Sequence, residues 1–120
     1  AKQALANDIP VVLGNDVGCP WITQYDFWRE LYYFQKYVGV SAAFALYTAT
    51  GRAAELAGIG DITGTLEKGK CADMIVTSKN PLEDLRALRH IDMVVTGGTV
   101  IEQPKVKINP VVETELDKFL

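Results

Sequence analysis

The chain has 120 residues, 48% of them apolar, with 12 Lys and Arg against 15 Asp and Glu. A net charge of -3 excludes a basic field for nucleic acid or an anionic membrane surface, and no apolar run reaches the length of a membrane span. The length and apolar share fit one folded domain with a modest core.

Residues 1–6 are good helix formers and read as the end of a helix, broken by Asn7 and Asp8. Val11, Val12 and Leu13 follow Pro10 and run straight into Gly14. Such a run predicts a short strand buried on both faces, as in a parallel sheet. Asn15, Asp16, Val17, Gly18 and Cys19 come next, closed by Pro20. An acid just past the carboxyl end of a buried strand is costly without a partner, and that end is where barrels and open α/β sheets place their chemistry. The competing reading makes Asp16 a turn or capping residue.

Residues 21–38 carry eight large aromatics, with Phe27, Leu31, Phe34 and Val38 at helical spacing and Trp28 and Tyr32 beside them. Thr23 is the expected cap, with Asp26 in the first turn, and Gly39 the stop. Core packing or a subunit contact explains this stripe better than a substrate pocket. Ser41 caps a second helix over 42–47; Thr50 caps a third over 52–57, ended by Gly58.

From Gly60 onward, glycines punctuate short segments. Residues 71–77 and 91–96 read as strands, and Gly97-Gly98 as a hairpin turn into Thr99, Val100 and Ile101. Asn80-Pro81 marks a turn before a short helix over 82–88. Asn109 with Pro110 opens a last amphipathic helix. Residues 1–58 thus read as the end of an α/β fold, and 59–104 as a few strands of a small sheet followed by a docking helix.

Cys19 and Cys71 lack metal-type spacing, and two cysteines do not make a disulfide framework, so a reduced, cytoplasmic protein is expected. The one histidine, His90, sits in a charged stretch and reads as a surface residue near a helix end. A complete nitrogen or sulfur metal site cannot be built from one copy of this chain.

Four stretches carry a resemblance: LGNDVG at 13–18, ALYTATGRAAELAGI at 45–59, GTLEKGKCADMIV at 64–76 and NPLEDLRALRHIDMVVTGGTVI at 80–101. Together they resemble the C-terminal end of the amidohydrolase superfamily, with imidazolonepropionase-like and prolidase-like members nearest in texture. The resemblance implies a TIM-like barrel flanked by a small β-sandwich. Residues 1–58 would be the last β/α portion of the barrel, 59–104 the C-terminal part of the sandwich, and 105–120 a tail with a docking helix. The isolated chain reads as α+β.

By this resemblance Asp16 is the acid that binds the metal and accepts a proton from metal-bound water, and Val17, Gly18 and Cys19 are substrate-loop candidates. Lys70 and Asp73 belong to the sandwich motif and read as structural turn residues. The family's histidine ligands have no counterpart in these 120 residues and are expected upstream of Ala1. Asn15 stands where the family has Thr or Ser. The expectation is a C-terminal portion of a metal-dependent hydrolase cleaving C–N bonds of a small amide or cyclic amide, inactive alone. The complete enzyme would hold a divalent metal, zinc foremost; the chain alone would hold none. Expected partners are the remainder of its own polypeptide or another copy, not nucleic acid or membrane. A non-catalytic oligomerising module, or one chain of a split enzyme, is the alternative.

Overall fold

The computed structural model describes residues 1–120. The first helix, α1, spans Lys2–Ala6, as its composition predicts. Residues 9–16 then form no ladder, although a strand is expected at 10–13. A parallel strand exists only by pairing with a neighbour, and none of these 120 residues supplies one. Val11 and Leu13, two apart, nevertheless pack against the core, which is the alternation of a strand with one side covered.

Helix α2, Phe27–Tyr33, continues as a π-helical turn over Phe34–Val38. Gly39 stops it with φ 88°, the left-handed geometry that glycine adopts without strain. The cap differs from expectation: Asp26, not Thr23, occupies the N-cap. Its carboxylate makes no capping bond because Thr23 Oγ1 (2.6 Å) and Arg29 Nε (3.1 Å) occupy it.

Helix α3, Ala42–Ala49, starts at Ser41, whose Oγ accepts the Phe44 N–H at 3.1 Å. Helix α4, Gly51–Leu56, begins after Thr50. The Thr50 side chain does not cap it; its hydroxyl donates back to the Leu46 carbonyl at 2.8 Å. The helix expected over 82–88 is a shorter 3-10 turn at Leu85–Arg89, because Asn80 and Asp84 spend their side-chain acceptors on local turns.

Trp28, Leu31 and Phe34 of α2, Ala42 and Ala45 of α3, and Leu85 and Leu88 form one buried cluster. The aromatic stripe is therefore core, as its spacing suggested. Alanines on α3 let the helices approach closely.

The sheet is three-stranded, antiparallel and ordered β1-β2-β3: β1 Met74–Val76, β2 Met93–Thr96 and β3 Thr99–Glu102. Met74 pairs with Val95, and Thr96 with Thr99 across the hairpin. Gly97 and Gly98 both have positive φ, 53° and 81°, the mirror-image turn that matches strand twist. No second sheet faces this one, and every residue of β1 and β3 is exposed. Helix α5, Pro110–Leu116, is capped by the Asn109 side chain and runs into a 3-10 turn at Asp117–Phe119.

Candidate functional site

Residues 9–16 lead off the core into a loop whose apex is Asp16. Its φ is +51°, a left-handed conformation that Asp and Asn adopt more readily than bulkier residues. The loop folds back on itself: the Cys19 N–H donates to the Asp16 carbonyl at 3.3 Å, and the Ile22 N–H to the Cys19 carbonyl at 3.1 Å. Gly18 supplies a further positive φ of 113°.

This turn brings two of the expected site residues together. The Cys19 thiol donates to Asp16 Oδ2 at 3.2 Å. The carboxylate is exposed and pairs with no Lys, Arg or His. Val17 (54% exposed) and Gly18 lie on the loop surface with it. Asp16 is thus a turn residue by geometry and an unpaired, accessible acid by chemistry; the two sequence readings are compatible.

The other expectations fall where the sequence puts them. His90 is exposed at the end of the Leu85–Arg89 turn. Asp73 is structural: Oδ1 accepts the Gly97 N–H at 2.8 Å and Oδ2 the Thr63 hydroxyl at 2.8 Å. The Gly97 amide, with Thr63, holds its carboxyl below the usual aspartate range. Lys70 Nζ donates to Thr65 Oγ1 at 2.6 Å. No group of three His, Cys, Asp or Glu side chains lies close enough to hold a metal ion. Asp16 therefore fits one position around a metal but does not make a metal site, which needs three or four ligands.

Two apolar grooves are open. One, of 330 Å³, lies beside residues 11–14 and is lined by Tyr33, Phe34, Val38 and one acid, Glu30. Burial pushes the Glu30 carboxyl up. The larger, of 840 Å³, runs between α4 and β1. Neither includes Asp16.

Sequence reasoning missed a buried charge cluster. Arg29, 3% exposed, donates to Asp26 Oδ1 at 3.1 Å, Glu113 Oε2 at 3.1 Å and Asp117 Oδ1 at 2.7 Å. Arg89 reaches Glu113 Oε2 at 2.6 Å and Asp117 Oδ1 at 3.1 Å. The two guanidinium carbons lie 4.5 and 5.5 Å from the Trp28 ring centroid. Burial, with Asp26 nearby, pushes the Glu113 carboxyl up. Burial acts the same way on Asp117, but hydrogen bonds from Arg29 and Arg89 outweigh it and hold that carboxyl below its usual range. The signal available was Asp26/Arg29 and Glu113/Asp117 at helical spacing, yet such pairs usually face water.

The sequence profile of the Amidohydrolase family matches residues 1–101. Among solved structures, a candidate prolidase from Bifidobacterium longum is 38% identical, with a TM-score of 0.94 over 98% of this chain and 29% of that chain. A Xaa-Pro dipeptidase with methionine bound in its active site is 31% identical, with a TM-score of 0.75 over 84% of this chain and 24% of that one. Ochratoxinase from A. niger is 26% identical, with a TM-score of 0.71 over 88% and 24%. No curated protein matches. The chain spans less than a third of the length of each of these structures. With the family profile covering most of the chain and the 38% identical structure nearly all of it, this chain belongs to the amidohydrolase family.

Proposed function

We propose that this chain supplies the acidic end of a hydrolytic site that cleaves C–N bonds, with Asp16 as the residue that takes the proton from the attacking water. The observation that carries this reading is Asp16 itself: an exposed, unpaired carboxylate at a loop apex, in the stretch matched by the family profile. The Cys19 thiol occupies one lone pair of Oδ2, which orients the carboxylate and leaves Oδ1 free to accept. A divalent metal, zinc being the first to assay, would supply further activation in the complete protein. Its further ligands would come from outside these 120 residues.

Two relatives above 30% identity, a candidate prolidase and a Xaa-Pro dipeptidase, make Xaa-Pro dipeptides the first substrates to assay. In the full natural protein, Asp16→Asn should lower kcat by about 10²- to 10⁴-fold, the usual contribution of a general base. The isolated 120-residue chain should show no turnover. Hydrolysis by that chain alone, or an unimpaired Asp16→Asn enzyme with normal circular dichroism, would overturn the reading.

A second reading, association as a binding module, is favoured by the exposed apolar surface. Ile75, Val100 and Ile101 of the sheet and Tyr47, Ile59 and Leu66 around the larger groove are all at least 40% exposed. The remainder of the polypeptide is the occupant we favour; another copy is the alternative.

A further inference from the structure

Four residues along one side of α2 and the loop before it reach the C-terminal segment. Tyr25 Oη accepts the Asn109 N–H at 2.8 Å. Arg29 donates to Glu113 and Asp117. The Tyr33 hydroxyl donates to the Leu116 carbonyl at 3.5 Å, and Lys36 Nζ to the Phe119 carbonyl at 2.7 Å. Positions 25, 29, 33 and 36 advance with 109, 113, 116 and 119, both at helical spacing, so the two segments run parallel over about three turns. The family profile ends at residue 101, before this segment begins.

The lock at the middle is ionic and buried. Glu113 Oε2 accepts from both Arg29 and Arg89. Arg29 Nη1 and Glu113 Oε1 are buried without partners. Removing Glu113 leaves the two guanidiniums sharing Asp117, and removing Arg29 leaves Glu113 with Arg89 alone; losing one member of a buried charge cluster is costlier than never having built it.

The same Arg29 faces the other way as well. It holds Asp26, whose second oxygen takes the Thr23 hydroxyl, and Thr23 lies on the loop that turns back through Ile22 and Cys19 to Asp16. We propose that residues 109–120 are a strap, with Glu113 and Arg29 as positioning residues that fix the Asp16 loop from the far side of α2. The inference does not require Asp16 to be catalytic, because its readout is the loop's own order.

The test is amide hydrogen exchange in the full natural protein, comparing Glu113→Ala with Glu113→Gln. The alanine removes the acceptor that the two guanidiniums share, leaving Arg29 on Asp26 and Asp117 and Arg89 on Asp117 alone. The glutamine keeps an oxygen that accepts from them. Glu113→Ala should speed exchange about tenfold or more both in α5 and over residues 16–26, as expected for release of a coupled local unit. Glu113→Gln, which keeps the shared acceptor but loses the charge, should loosen the same segments clearly less than the alanine does. Should Glu113→Ala fail to fold, Asp117→Ala, at the half-exposed end of the cluster, should speed exchange over the same two segments. Loosening of α5 with 16–26 unchanged would overturn the positioning role. Equal loosening by the alanine and glutamine variants would overturn the shared-acceptor lock, and no loosening by Asp117→Ala would overturn the strap.

Discussion

Asp16 and Asp73 are both exposed aspartates beside glycine-containing turns, and their partners separate them. Asp73 spends both oxygens on the fold, one on the hairpin amide and one on Thr63. Asp16 accepts only a weak thiol donor and stays available. Asparagine is the proper probe at Asp16 because it also tolerates positive φ, so lost turnover would report lost chemistry and not a broken loop. For Asp73 the prediction concerns pH. Its folded carboxyl titrates below the ordinary aspartate value, so the hairpin's stabilisation is complete above that value and is lost as pH falls through the lowered one. Protection of the Gly97 amide, taken relative to its intrinsic exchange rate, should therefore fall in acid more in the wild type than in Asp73→Asn; parallel pH profiles for the two proteins would refute this.

At the scale of elements, helices and hairpin follow from local grammar. Ser41, Asn109, Gly39 and Gly97-Gly98 each do what their residue type dictates. The failures are equally physical. Thr23 and Thr50 have better hydrogen-bond partners than a helix terminus. Residues 10–13 lack the neighbour that would make them a strand. The Leu85–Arg89 turn looks minor in sequence, yet Leu85 is fully buried in the cluster that residues of α2 and α3 share. Leu85→Ala should cost about 2–5 kcal/mol, as cavity-forming core truncations do. Denaturant unfolding checks this, and a loss below about 1 kcal/mol would mean the site collapses around the alanine or the core lies elsewhere.

For the whole molecule, only 14 of 120 residues are buried, and the accessible surface is 8094 Å². A folded monomer of 13.2 kDa is expected to expose about 6,400 Å². The radius of gyration is 14.9 Å, against about 13.6 Å for a compact chain of this length. The excess area, about 1,700 Å², is roughly twice what one partner contributes to a standard interface. The edges of β1 and β3 are also unpaired. The isolated chain should therefore associate, and sedimentation showing a stable monomer at micromolar concentration would contradict this.

The sequence by itself determined the caps at Ser41 and Asn109, the hairpin, the aromatic core face and the family, and it singled out Asp16 as the acid to test. Each depends on residues close in the chain or on a contiguous motif. The tertiary structure alone decided that Asp26 and Arg29 face inward, and that Glu113 and Asp117 meet them and Arg89 across more than 80 and 20 residues respectively. A charge at helical spacing looks the same in sequence whether water or an opposite charge will surround it. Only the packing of α5 against α2 removes the water and makes that choice.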